Sequence, residues 1–176
     1  MLLPIEQQPE EAALVRSAQQ GDRAAFGTLY QRYARLVHGI LLGSVRFSDA
    51  EDVMQDVFMR AMQQIGALRE VAAFGSWLAA IARRSAVNHH RRTKPTLSLV
   101  AAIPGGSRPD GEAFEVLEMI RQLPEAYRET LILRLVEGMT GPEIAQSTGL
   151  TEASVRVNLC RGMKMLRDKS KGIEHE

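Results

Sequence analysis

Residues 140–166 read TGPEIAQSTGLTEASVRVNLCRGMKML, and this stretch decides the fold. Thr140 and Glu143 have the spacing of a capping box, in which each side chain bonds the other's backbone N–H. Pro142 falls in the first turn, where a missing N–H costs little. Gly149 stands where a helix commonly ends in a left-handed residue. Thr151 can cap a second helix that runs to about Lys169. A short helix, a glycine turn and a longer basic helix make a helix-turn-helix.

The second helix has two distinct sides. At about 100° per residue, Val155, Leu159, Gly162 and Leu166 fall on one side. The other side holds Ala153, Val157, Cys160, Arg161 and Lys164, flanked by Ser154 and Arg156. Arginine there can bond guanine bidentately in a major groove, and lysine can neutralise phosphate. A plain helical hairpin with a soluble basic face would show the same pattern.

The rest of the chain also reads as helical. Asp22 can cap a helix in which Phe26, Leu29, Tyr30, Tyr33, Val37, Ile40 and Leu41 recur at three- and four-residue spacing. Ser48 and Glu51 suggest a further capping box, opening a helix that buries Met54, Val57, Phe58, Ala61, Ile65 and Leu68. A helix from near Phe74 carries Trp77, Leu78, Ile81 and Val87 into the basic run. Phe114, Val116, Leu117 and Ile120 share another, and a further helix runs from about Ala126 to Val136. No stretch alternates as a strand would. The first ten residues and the last six read as frayed ends.

Three prolines and three glycines between Thr93 and Gly111 mark a flexible linker. The expected architecture is all-α, with two small helical domains at 12–92 and 112–170 joined by residues 93–111. A length of 176 residues allows two such domains, and 45% hydrophobic residues are enough to give each a core. Aromatics at 5% leave small aliphatics and eight methionines to fill those cores, which suits helix-on-helix packing.

The net charge of +1 excludes nothing, but the charges are segregated. Five basic residues and no acid lie between Arg83 and Lys94; six glutamates lie between Glu112 and Glu137; six basic residues lie between Glu152 and Lys171. Separate surfaces for separate partners are implied. Cys160 is the one cysteine, so no internal disulfide forms. With no apolar run near the roughly 18 residues a bilayer requires and no secretory leader in the sequence, a cytoplasmic location is expected.

Two further constellations carry chemistry. Asp49, Asp52, Asp56 and Arg60 share one stripe of a helix, with Gln55 beside it. Such carboxylates can complement a helix N-terminus, or they can dock a basic partner. In FGSWLAAIARRSAVNHHRR (74–92), Arg83, Arg84, Asn88, Arg91 and Arg92 crowd the helix exit. Cations with an amide suit a nucleic-acid backbone and splayed bases, or simply the helix C-terminal dipole. Trp77 can anchor the core or stack on a base. His89 and His90 are adjacent and face different ways, so no metal site is expected there. Neither a nucleophile–base pair nor a glycine-rich phosphate loop is present; no catalysis, cofactor or small-molecule substrate is expected.

GDRAAFGTLYQRY, DAEDVMQDVFMRA, FGSWLAAIARRSAVNHHRR and LPEAYRETLILRLVEGMTGPEIAQSTGLTEASVRVNLCRGMKMLR, in that order, resemble the extracytoplasmic-function sigma factors. The resemblance implies a factor that binds core RNA polymerase, directs initiation at promoter DNA and takes part in stress response. By the same resemblance, Asp49, Asp52, Gln55 and Asp56 would dock on the polymerase clamp. Arg83, Arg84, Asn88, Arg91 and Arg92 would meet the minus-ten element. Thr151, Ser154, Arg156, Val157, Cys160, Arg161 and Lys164 would lie along the minus-thirty-five groove. A cognate anti-sigma factor is a further implied partner. The family often has Asn at the place of Arg84, and a small polar residue and an Arg at the places of Val157 and Asn158, so base preferences here should differ. The competing reading is a sigma mimic that sequesters an anti-sigma factor without touching DNA; the basic recognition helix and the lack of a receiver domain speak against it.

Overall fold

The computed structural model describes residues 7–92 and 111–173, and all the regular structure among them is helical. Most of the expected linker, residues 93–110, lies outside the described residues, as do 1–6 and 174–176. Eight α-helices follow in order: α1 (Gln7–Gln19), α2 (Arg23–Leu42), α3 (Ala50–Gln64), α4 (Phe74–Arg92), α5 (Gly111–Arg121), α6 (Glu125–Leu135), α7 (Gly141–Thr148) and α8 (Glu152–Ile173).

The first four helices form one unit. Asp22 caps α2 as expected, accepting from the Ala24 and Ala25 amides at 2.9 and 3.1 Å. Leu29, Tyr33, Leu36, Phe74 and Leu78 are buried at its centre, and the rings of Tyr33 and Phe74 meet edge-on at 5.2 Å. Helix α1 starts at Gln7, inside the segment expected to fray. It is tied down at both ends: Tyr33 Oη donates to Glu11 at 2.7 Å, and Gln19 donates to the Ile65 and Leu68 carbonyls. Burial, and then the bond to Glu11, push the Tyr33 hydroxyl pKa well above its usual value.

One local expectation is corrected. Ser48 forms no capping box with Glu51; its hydroxyl donates to the Asp49 carboxylate at 2.8 Å, and a short 3-10 turn (Phe47–Asp49) leads into α3. Val87 points outward and is 51% exposed, because α4 buries the face of Leu78, Ile81, Ser85 and Ala86 instead. Phe114 and Val116 are likewise exposed, while Leu117 and Ile120 are buried.

Helices α5–α8 form the second unit, and it packs directly on the first. Leu131, Ile132 and Leu133 are consecutive and all wholly buried. Because a helix turns about 100° per residue, they point in different directions. Leu131 meets α8 at Gly162, where a Cβ would stand 2.9 Å from Leu131 Cδ1. Leu133 meets α2 at Gly39, where a Cβ would stand 2.6 Å from Leu133 Cδ2. Ile132 lies against Gly43. Helix α6 is thus sandwiched between α2 of the first unit and α8 of its own, and the apolar core runs through both units.

Polar contacts ring this junction. Arg83 of α4 donates two bonds to Glu129 of α6, at 2.9 and 2.6 Å. Arg121 donates to the Leu42 and Val45 carbonyls at 2.8 Å each, satisfying backbone groups at the end of α2. His38 Nδ1 pairs with Glu137 Oε1 at 2.6 Å.

The bond from Glu137 raises the His38 pKa above its ordinary 6.5, outweighing the opposing effect of burial. A raised folded-state pKa contributes stability that is complete below the unfolded value and is lost as pH rises through the folded one. Thermal stability should therefore fall as pH rises above about 6.5, more steeply in the wild type than in His38→Gln. Parallel melting profiles for the two proteins would show that the pair contributes nothing.

Candidate functional site

Helices α7 and α8 make the helix-turn-helix. Thr140 Oγ1 accepts from the Glu143 amide at 3.3 Å, and Glu143 accepts from the Thr140 amide at 2.7 Å, closing the expected box. That backbone bond, with the Thr140 hydroxyl, holds the Glu143 carboxyl below its usual pKa. Gly149 adopts φ +77°, the left-handed conformation that ends α7. Thr151 Oγ1 accepts from the Ser154 amide at 3.1 Å and shares a 2.8 Å bond with the Ser154 hydroxyl, so both groups are committed to starting α8.

Helix α8 is held by one face. Val155 and Gly162 are buried, and Leu159 and Leu166 are part-buried against the core. Arg156, Val157, Cys160, Arg161 and Lys164 are exposed on the other side, together with Ala153 and Ser154. Arg156, Arg161 and Lys164 make no ion pair or side-chain hydrogen bond among the described residues. Their donors are available to a partner.

On α3, Asp52, Gln55 and Asp56 are exposed. Glu51 and Met59 extend the same surface, at four-residue spacing either side of Gln55, and Met62 lies beyond; the last two are 56% and 51% exposed. Sequence reasoning gave Glu51 only a capping role and passed over both methionines, although exposed methionines beside carboxylates fit a docking face better than a purely solvated one. Asp49 differs from its stripe partners. It accepts from Ser48 and pairs with His89 Nε2 at 3.0 Å, which ties α3 to α4. Burial works against ionisation there, but the His89 and Ser48 bonds prevail and hold the Asp49 carboxyl below its usual pKa.

At the α4 exit, Arg84, Arg91 and Arg92 are exposed and Asn88 is part-buried. Arg83 is separated from them by its bidentate bond to Glu129. That bond comes first among the causes that raise the Arg83 pKa. Trp77 is half-buried with its ring 5.7 Å from Phe74, the position of a core anchor. No group of His, Cys, Asp and Glu among the described residues could hold a metal ion.

Sigma-70 region 2 matches residues 29–96, and Sigma-70 region 4 matches residues 113–166. The chain is 30% identical to an ECF RNA polymerase sigma-E factor of Haemophilus influenzae, over 93% of this chain and 96% of the relative.

The chain belongs to the ECF RNA polymerase sigma factor family.

An RNA polymerase sigma-H factor of Pseudomonas aeruginosa is also 30% identical, over 90% of this chain and 93% of the relative. The fold agrees with CnrH, solved in complex with the cytosolic domain of CnrY, at a TM-score of 0.64 and 23% identity, covering 92% of this chain and 97% of that one. Sigma factors bind core RNA polymerase and direct promoter-specific initiation, and this chain is one of them. The region 2 match takes in most of α2 and all of α3 and α4; the region 4 match takes in the helix-turn-helix. No helix of the described residues is long and apolar enough to cross a membrane.

The reciprocal Thr140–Glu143 box sets the start of α7 and hence the angle of the motif. Thr140→Ala should lower stability by about 0.5–2 kcal/mol in urea denaturation. An unchanged midpoint would mean that the box is not formed in solution.

Proposed function

We propose that residues 12–92 of this sigma factor dock on core polymerase and hold the minus-ten element, and that residues 112–170 read the minus-thirty-five element. The observation that carries this reading is the exposed face of α8, whose three cations have no partner among the described residues while the opposite face is packed on the core.

Within that assignment, Arg161 and Arg156 are the base readers and Lys164 is a phosphate contact. Val157 and Cys160 supply apolar surface suited to a thymine methyl. Thr151 and Ser154, committed to each other, present the helix start to a phosphate. Asp52, Gln55 and Asp56 form the polymerase docking face; Asp49 supports it through His89. Arg84, Asn88, Arg91 and Arg92 grip minus-ten DNA, joined by Arg83 once Glu129 releases it. The chemistry of RNA synthesis stays with the polymerase, and this chain contributes specificity. It works in the cytoplasm, and a cognate anti-sigma factor is its further partner.

Arg161→Ala should cost on the order of 1–3 kcal/mol and relax preference at one minus-thirty-five position. Lys164→Ala should weaken all promoters about equally and flatten the salt dependence. Run-off transcription over single-base promoter variants distinguishes the two. If neither substitution alters promoter use while polymerase binding persists, the second domain is no DNA reader and the chain is a sigma mimic. Asp52→Lys with Asp56→Lys should weaken binding to core polymerase and leave the melting temperature nearly unchanged. Unchanged affinity with lost stability would make the stripe structural.

A further inference from the structure

The end of α4 overhangs the body of its domain. Burial along the helix runs from Phe74 to Ala86 and then stops. Beyond it Val87, His90, Arg91 and Arg92 are exposed, and Asn88 and His89 are only part-buried. Three of the minus-ten candidates, Asn88, Arg91 and Arg92, stand on this overhang. A helix end with no apolar packing opens easily unless something else ties it down. Ser85 does not: it lies one turn before His89 and is buried, but its hydroxyl has no hydrogen-bond partner among the described residues.

The tie comes from α3. His89 Nε2 lies 3.0 Å from Asp49 Oδ2. An ionised carboxylate can only accept, so Nε2 carries the hydrogen and donates it. Both side chains are largely shielded from water, at 25% and 29% exposure, which protects the bond from competition. Asp49 gives up a local role to make it. It stands at the N-cap of α3, where aspartate ordinarily accepts from the amides of the first turn, as Asp22 does for α2. Its side chain makes no such bond here; the carboxylate goes to Ser48 and to a histidine 40 residues away.

The bond also fixes a spacing. Asp49 lies about one turn before Asp52, the first residue of the proposed docking face. His89 therefore ties the minus-ten end of α4 to the entry of the helix that meets polymerase. Core polymerase holds the factor and the DNA together, so a grip can meet its bases only if it keeps a set position relative to the docking face.

We infer that His89 is a positioning residue: through Asp49 it fixes Asn88, Arg91 and Arg92 relative to the docking face of α3, and so sets how well the minus-ten element is read. It touches neither polymerase nor DNA in this role. The inference rests on the minus-ten reading proposed above.

The test uses the full chain with core polymerase, and reads core affinity beside run-off transcription over single-base minus-ten variants. His89→Leu removes the donor. Transcription should fall by about tenfold, the equivalent of one hydrogen bond to a charged group. Preference among minus-ten bases should flatten, and core affinity should stay as in wild type. His89→Gln keeps an amide donor and should recover most of both losses. Asp49→Ala removes the bond from the other side, and the double variant of Asp49→Ala with His89→Leu should be no worse than the worse single one. Additive losses would overturn the inference, as would a fall in core affinity that matches the fall in transcription. So would full activity in His89→Leu, or an equal deficit in His89→Gln. Arg91→Ala with Arg92→Ala separates this inference from the reading beneath it. If that variant loses minus-ten use and His89→Leu does not, the positioning role alone fails. If that variant uses every promoter as wild type does, the proposed minus-ten grip fails and the positioning role falls with it.

Discussion

Three consecutive buried side chains, Leu131, Ile132 and Leu133, cannot be covered by one neighbour, because a helix points them in different directions. Helix α6 must therefore be flanked on opposite sides. Gly162 of α8 and Gly39 of α2 provide the two close approaches. Each fully buried aliphatic is worth roughly 1.5–3 kcal/mol relative to exposure, so this one run contributes heavily to holding the molecule together. It also sets the posture of α8: with Val155 and Gly162 facing inward, Arg156, Arg161 and Lys164 have no option but to face solvent.

The arginines fall into two groups. Arg83 and Arg121 are spent within the fold, on Glu129 and on the α2 carbonyls. Glu129 is only 12% exposed, and removing the partner of such a charge commonly costs several kcal/mol. Arg84, Arg91, Arg92, Arg156 and Arg161 remain exposed. A partner rich in phosphate would find its donors in the second group, and the first group determines how the two domains face one another. Opening the junction would transfer Arg83 from one group to the other, which couples domain arrangement to the charge available at the α4 exit.

The helix-turn-helix was legible from sequence because each of its signals is local. Thr140, Glu143, Gly149 and Thr151 act within a few residues of themselves, and helical geometry alone places Arg161 outward. Less legible is which distant group a side chain meets. Asp49 was grouped with the stripe because nothing local shows that His89 lies beside it. Arg83 was grouped with the α4 exit because Glu129 is 46 residues away. Ser48 is a local exception: it has the spacing of a cap for α3 but bonds its immediate neighbour instead. The contact between the domains left traces in the sequence, namely Gly39 and Gly43 one turn apart and an unbroken apolar LIL in α6. Those traces are equally compatible with ordinary packing inside one domain, and only the three-dimensional arrangement pairs them.

The proposed promoter reading requires α8 to lie along the minus-thirty-five element. Cys160, the one cysteine of the chain and exposed on α8, can carry an iron chelate that cuts nearby DNA. With core polymerase and promoter DNA bound, cleavage should fall at the minus-thirty-five element. Cleavage elsewhere, or none in a transcriptionally active complex, would contradict that reading.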